Sequence, residues 1–487
     1  MILKPEMFEK YIALFSSENA GAPMGDTDLA LQWLTQNVPL FECPDKDIEE
    51  VYFFRWWVYS QHVKRTADGY IITEFHPNVP WAGKHNAIVC AAGHHIREGR
   101  WLADKTYMED YIRFWYQKGG PIRAYSNWLG AAVWQYCAVK GDFNLAASLL
   151  DDFVMDYGEW ERTNLHESGL FWSGDDRDGM EFSISGSGLR PTLNSYMYGY
   201  ASTISKTAKL AGKKEVSVEF DKKARALRRL INEKLWDPNS GFYKVLPLDA
   251  KGLPLNDWNN VDPARNVREL LGYTPWYFDI PDNGKDGAWR RLTDHKGFNA
   301  PFGPTTVERS HPRFMSAHQH ECLWNGPSWP FATSVTLTAM LNSSCARDGF
   351  FHLLRAYARC HTRRTKSDGT AVRWLDENIN PFTGEWLSRS ILESWGWPAE
   401  KGGFERGKYY NHSTYCDLII TGLAGLKPRS DDIIEVRPLI PDSWDYFCLD
   451  SVSYHGRSVT ILYDKCGERY GIGKGAFVCL DGTFFLL

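Results

Sequence analysis

Apolar residues recur at helical spacing from about residue 27 to residue 426, and the pattern then changes abruptly. Apolar positions three and four apart make one stripe, and a helix carrying such a stripe is stable only when another element covers it. Phe143, Ala146, Leu149, Leu150 and Phe153 form one stripe, with Asp142 placed to cap the helix. Met197, Ala201, Ile204, Ala208 and Ala211 form another, with Ser195 as the expected cap and Gly212 as the stop signal. The same spacing predicts helices near 27–36, 48–64, 105–117, 126–139, 216–235, 331–342, 347–361 and 413–426. After Pro428 short alternating runs take over, as at Val459, Ile461 and Tyr463. Asp481-Gly482 sits between VCL and TFF as a two-residue hairpin turn. No self-similarity at a period of roughly 20–50 residues appears, which argues against a solenoid. The expected fold is therefore mainly α. Residues 1–430 would form one large body of paired helices closed into a toroid, and 431–487 a small antiparallel β unit packed on it.

Fifty-five Lys and Arg against 60 Asp and Glu leave a net charge of -5. A nucleic-acid binder or an anionic-membrane protein would carry a basic excess or stripe, so neither partner is expected. No apolar run reaches the roughly 20 residues that cross a bilayer. Glu6, Glu9 and Lys10 interrupt the first twenty residues, which lack the apolar core of a secretory signal. Ten scattered cysteines, Cys345 among them, include no CxxC and fit free thiols in a reducing cytoplasm. A cytoplasmic protein with no metal and no cofactor is expected.

Aromatic residues make up 15% of the chain. They fill cores, and they also offer flat faces to sugars. Several stand beside acids. The segment from Trp172 to Glu181 reads W-S-G-D-D-R-D-G-M-E and holds Asp175, Asp176, Asp178 and Glu181 within seven residues. A crowded carboxyl has its pKa raised by its neighbours, as a general acid requires. The plain alternative is a solvated turn. The segment from Trp374 to Trp386 reads W-L-D-E-N-I-N-P-F-T-G-E-W and sets Asp376 and Glu377 between Trp374 and a turn. Between the two lies W-N-G-P-S-W-P, residues 324–330, a stiff aromatic wall because proline restricts itself and the residue before it. Two acidic loops beside tryptophans suit inverting glycoside hydrolysis. One carboxyl protonates the leaving oxygen and the other, about 6.5–9.5 Å away, activates water from the opposite face.

W-S-G-D-D resembles the W-x-S-G-x-D acid loop of glycoside hydrolase family 63 and its trehalase and mannosylglycerate hydrolase relatives. R-P-T-L-N-S, residues 190–195, is similar to that family's opening of an inner helix. W-N-G-P-S-W-P resembles its Trp-Arg-Gly-Pro-Val-Trp wall, and E-N-I-N-P-F-T-G from Glu377 resembles its Glu-x-x-x-Pro-x-Thr-Gly loop. The resemblance implies an (α/α)6 toroid that cleaves an α-linked glucoside- or mannoside-type glycoside with inversion. It implies Asp176 as the general acid and Glu377 as the general base. Where the family has Asp-x-Ser-Pro, this chain has Asp176-Arg177-Asp178-Gly179, which keeps Asp178 as a rival acid. The C-terminal β piece looks like the tail of α-L-rhamnosidases. A rhamnosidase-like hydrolase therefore stays open, as do a sugar epimerase working through His94, His95 or His412 and a non-catalytic carbohydrate-binding protein.

The expected partner is a carbohydrate. Trp172, Arg177, Glu181, Trp324, Asn325, Gly326, Trp329 and Trp374 are expected around it. Trp81 and His95 from the mixed segment 80–101, and Tyr410 and His412 from a loop before the last helix, complete the set. His318-Gln319-His320-Glu321 offers two histidines and a glutamate, too few ligands for zinc. Arg268-Glu269 with Tyr273 to Tyr277 reads either as a rim loop or as a structural aromatic cluster.

Overall fold

The computed structural model describes residues 2–19, 25–255, 257–344, 346–363, 369 and 371–487; Cys345 lies outside them. The chain is mainly helical with a few small antiparallel sheets. Helices Thr27–Asn37, Lys46–His62, Thr106–Gln117, Leu129–Lys140, Lys214–Leu230, Pro330–Asn342 and Phe350–Cys360 stand where the apolar spacing puts them.

The differences have local causes. The helix expected from Ser195 begins at Pro191, and Ser195 is buried inside it. Proline at the first helical position gives up no bond, because that N–H has no partner within the helix. The helix ends at Leu210, and Gly212 then takes φ +71°. The stripe after Asp142 splits into Asn144–Ser148 and Leu150–Asn164, with the Asp142 carboxylate accepting the Asn144 N–H at 2.9 Å. The expected 413–426 helix is one turn, Cys416–Leu418, running into a π-turn at Ile419–Leu423. Helix Ala92–Gly99 was not expected; all its residues are buried, His94, His95, Arg97 and Glu98 included, so its polar residues do not mark a solvent face and leave only a short apolar stripe.

Helices pair along the chain, as Pro191–Leu210 does with Lys214–Leu230. Close approach depends on small residues. A Cβ on Gly130 would lie 2.2 Å from the Tyr200 ring, so that helix crossing tolerates nothing larger. Trp56, Trp57, Trp101, Trp115 and Trp128 are fully buried, and with the many buried Tyr and Phe they put most of the aromatic content in the core. Tyr273 stacks on Trp289 at 4.6 Å and Trp276 meets the same ring edge-on, a buried cluster that places the 273–277 part of the segment in the core.

Most of the last 42 residues form a five-stranded antiparallel sheet that also draws in a strand from near the other end of the chain. Its order is Leu40–Glu42, Tyr446–Tyr454, Arg457–Asp464, Gly475–Leu480, Thr483–Leu486. Leu40 faces Asp450 and Glu42 faces Cys448. The Asp450 carboxylate also accepts the Leu3 N–H at 2.7 Å. Asp481 and Gly482, at φ 47° and 91°, turn the last hairpin, where Leu480 faces Thr483. His455 docks the sheet on the helical body: its N–H donates to Val139 O at 3.0 Å, at the end of helix Leu129–Lys140. No described helix is long and apolar enough to cross a membrane. The nine described cysteines are unpaired.

Candidate active site

The acidic segment is a pinched loop. Trp172 and Ser173 pair with Leu189 and Gly188, which closes residues 174–187 into a bight. Within it Asp176–Asp178 make one 3₁₀ turn. Three residues per turn sends side chains two apart in directions about 120° different. Asp176 accordingly points to solvent, where it accepts the Arg177 N–H at 2.8 Å, while Asp178 is buried. Arg190 Nε donates to Asp178 Oδ2 at 2.5 Å, and the Thr192 hydroxyl bonds the same oxygen. Asp178 Oδ1 has no hydrogen-bond partner.

Past that turn the loop reaches a cavity of about 270 Å³. Five carboxyl groups line it, those of Glu74, Asp178, Glu181, Glu321 and Glu377, together with Arg406 and His412. Trp324 and Trp329 form its wall, stacked at 4.4 Å with their planes 20° apart. Phe331, Tyr410, Phe75 and Trp81 add further rings. The wall and the second acidic loop are tied together: Ser328 N–H donates to Ile379 O at 3.0 Å, and Ile379 N–H returns a bond to Ser328 O at 2.9 Å. That bridge carries Glu377 to the cavity.

Glu377 is almost wholly buried, 1% exposed. Arg406 Nη1 donates to its Oε1 at 2.7 Å, and the Cys322 thiol donates to its Oε2 at 3.3 Å. Arg406 Nη2 donates to Glu321 Oε1 at 2.8 Å, so one guanidinium serves two glutamates. Its guanidinium carbon lies 4.9 Å from the Trp81 ring centre and 5.4 Å from that of Phe75. Asp376, next in sequence, faces away from the cavity and accepts from Ser388 Oγ and Trp374 Nε1.

Burial sets the protonation of this site. Removal from water pushes Glu181 up to about 8, and the neighbouring Glu377 charge adds to the shift. Glu74 is likewise pushed up to about 8 by burial, against a lowering hydrogen bond from Tyr410. Asp376 is pushed up to about 6 by burial and by Glu377. Burial holds His412 well below its ordinary value, so it is neutral, and neither ring nitrogen has a partner.

Of the residues read from the sequence, Asp178, Glu181, Glu377, Trp81, Trp324, Trp329, Tyr410 and His412 meet at the cavity. Asp176, Arg177 and Trp172 lie on the exposed side of their loop, with Arg177 Nη1 bonded to Ala124 O. Asn325 and Gly326 sit behind the wall, where Gly326 N–H donates to Thr306 Oγ1 at 3.0 Å. Trp374 is buried beside Asp376. His95 is structural: its Nδ1 bonds the Tyr111 hydroxyl at 2.8 Å and its Nε2 the Asn411 carbonyl. His94 is buried edge-on between Trp128 and Phe331. Sequence reasoning missed Glu74, Glu321, Cys322 and Arg406. Glu321 was visible only as part of a metal motif, and nothing around Arg406 marks it. His320, Glu321 and Cys322 have ligand atoms within 4.8 Å of one another. Arg406 already holds Glu321, and His320 Nδ1 already accepts the Cys322 N–H.

Arg406→Ala leaves two buried carboxylates without their cation. We expect it to cost about 3–5 kcal/mol of stability, measured by urea unfolding at pH 7.

Comparison with known proteins agrees with this chemistry. The mannosylglycerate hydrolase MGH1-like glycoside hydrolase domain matches residues 84–413. That span holds every carboxyl of the cavity except Glu74. A solved chain named sialidase is 40% identical with TM-score 0.88, over 99% of this chain and 44% of that one. This chain thus spans less than half the length of that relative. The GH63 mannosylglycerate hydrolase from Thermus thermophilus, solved with glucose, is 13% identical with TM-score 0.53, over 76% of this chain and 98% of that one. The GH78 rhamnosidase of Bacillus sp. GL1 is 13% identical with TM-score 0.56, over 88% and 40%. The last two are likenesses of fold alone. With more than half its length matched, and with a carboxyl-lined cavity inside the matched region, the chain belongs to the MGH1-like glycoside hydrolase family.

Proposed function

We propose that this cavity hydrolyses an α-linked glycoside with inversion, on helices arranged as an (α/α)6 toroid, with Glu181 as general acid and Glu377 as general base. The observation that carries the reading is the contrast between two carboxyls of one cavity. Glu181 is pushed up to about 8 and keeps its proton at neutral pH, while Glu377 is ion-paired with Arg406. Carboxyls whose surroundings differ in this way divide naturally into acid and base. We therefore prefer Glu181 to the expected Asp176, which is exposed outside the cavity, and to Asp178, which is ion-paired with Arg190 and anchors the loop.

In this mechanism Glu181 protonates the glycosidic oxygen as the bond to the anomeric carbon breaks. Glu377 takes a proton from the water attacking the opposite face of the ring. The Arg406 contact holds the Glu377 carboxylate in one orientation until that proton arrives. The stacked Trp324 and Trp329 give the sugar a rigid flat wall. The unpaired cysteines suit a reducing compartment, and we take the cytoplasm as its place.

Proton NMR of the first-formed product tests the stereochemistry: an α-glycoside should release the β-anomer, and early α-anomer would sink the inverting mechanism. The pH profile tests the acid. Glu181 works only while protonated, so kcat/KM is expected to fall as pH rises through about 8. A profile flat to pH 10 would remove Glu181 from that role.

A further inference from the structure

We infer that Glu321 is a positioning residue for the general base: by taking one arm of the Arg406 guanidinium it leaves Glu377 held at Oε1 alone and keeps Oε2 open to the proton of the attacking water. The inference rests on the glycosidase reading of the cavity and adds a residue to its base.

An arginine that meets a single carboxylate commonly grips both oxygens through two parallel N–H bonds. Arg406 divides its fork instead. Its Nη1 donates to Glu377 Oε1 at 2.7 Å and its Nη2 to Glu321 Oε1 at 2.8 Å. Its Nε–H is buried without a partner. Rings hold the guanidinium in this pose: the centres of Trp81, Phe75 and Trp397 lie 4.9, 5.4 and 5.8 Å from its carbon. Glu321 is fixed from the other side as well. Its backbone carbonyl accepts Asn378 Nδ2 at 2.7 Å, which ties residue 321 to the neighbour of Glu377.

The divided fork decides which oxygen of Glu377 can act. Oε1 carries a charge-assisted bond. Oε2 receives only the Cys322 thiol at 3.3 Å, and a thiol is a weak donor. Burial and the Glu377 charge push that thiol up, so it keeps its proton and does not compete as a base. A water at Oε2 can displace so weak a donor, pass its proton to Oε2 and send its oxygen to the anomeric carbon. Without Glu321, Arg406 would have no carboxylate but Glu377 to grip, and a carboxylate gripped at both oxygens is the weaker base. Charge acts in the same direction, since two carboxylates that share a site raise each other's affinity for a proton. Glu74, Glu181, Asp376, Cys322 and Tyr410 also face Glu377, and His320 Nδ1 lies 3.6 Å from Glu321 Oε2. All of them remain when Glu321 alone is changed, so a comparison with the wild type isolates its effect.

Glu321→Gln keeps the shape of the side chain and removes its charge. The acidic limb of its kcat/KM profile is expected to lie about one pH unit below that of the wild type. Its kcat should fall about 3–30-fold as the base weakens. Glu321→Asp, with the charge drawn back by one methylene, is expected to fall between the two. The shift should persist in a His320→Gln background; its loss there would assign it to the histidine and refute the inference. A merely structural defect would lower kcat with the limb in place. That result, or a limb moved upward, would overturn the inference. Azide rescue of Glu321→Gln would also overturn it, by making Glu321 the base itself. If Glu321→Gln does not fold, Glu321→Asp decides, and a limb at or above the wild-type position refutes the inference. Carbon-13 NMR of the glutamate carboxyl groups, with the Glu377 signal identified by its loss in Glu377→Gln, reads the same shift without turnover. If no glycoside were hydrolysed but that signal still titrated lower in Glu321→Gln, the hydrolase reading would fall and the divided fork would stand. Turnover with both limb and signal unmoved would overturn the inference and leave the hydrolase reading intact.

Discussion

Glu181→Gln is expected to lower kcat/KM by about 10²–10⁴-fold on a glycoside with a sugar or alkyl leaving group. The same variant should lose far less on a glycosyl fluoride or dinitrophenyl glycoside, whose leaving groups depart without a proton. That dependence on the leaving group is the mark of a lost general acid, and a merely structural defect would slow all substrates alike. The fall in rate above pH 8 should vanish as well, because glutamine has no proton to lose there. Asp176→Asn serves as the comparison. Its carboxylate is exposed outside the cavity, so it should keep near-normal activity on every leaving group. If Asp176→Asn or Asp178→Asn gave the leaving-group signature and Glu181→Gln did not, the acid assignment would pass to that aspartate.

Glu377→Gln is expected to fail on all leaving groups, by about 10²–10⁴-fold or more, since no substrate escapes the need for an activated water. Azide, which attacks without giving up a proton, should restore part of the rate on an α-glycosyl fluoride and yield a β-glycosyl azide. Rescue that gave the α-azide would contradict inversion. The neighbouring Asp376→Asn is the useful contrast. That side chain binds Ser388 and Trp374 rather than facing the cavity, so its loss should weaken the loop without producing azide rescue.

Much of the helical body was legible because apolar spacing records which face a helix buries. It failed where that record is absent, as in the wholly buried Ala92–Gly99, or where a proline moved the start, as at Pro191. The site was legible in outline for a similar reason. Glycine, proline and tryptophan around 172–181, 324–330 and 374–386 mark loops with fixed backbones. Within the first loop, however, four acids stand in seven residues, and sequence does not say which one burial selects. One 3₁₀ turn sends Asp176 outward and Asp178 inward and leaves Glu181 at the cavity. Glu74 and Arg406 reach the cavity from segments with no motif of their own; only the fold assembles them.

The pairing of Leu40–Glu42 with Cys448–Asp450 has a consequence for how the chain is made. Roughly 400 residues separate the two strands. At about 5–20 residues per second, the first strand waits roughly 20–80 s for its neighbour to be synthesised. During that interval a short apolar edge, with Leu40 and Phe41 destined for the interior, has nothing to pair with. Helices of the middle segment can pack as they emerge, but the sheet cannot close until residues 446–464 have been made, and it then joins segments some 400 residues apart in one step. Premature termination anywhere before residue 446 would therefore leave the early strand unpaired as well as the late ones missing, and such fragments should be unusually good targets for chaperones and proteases.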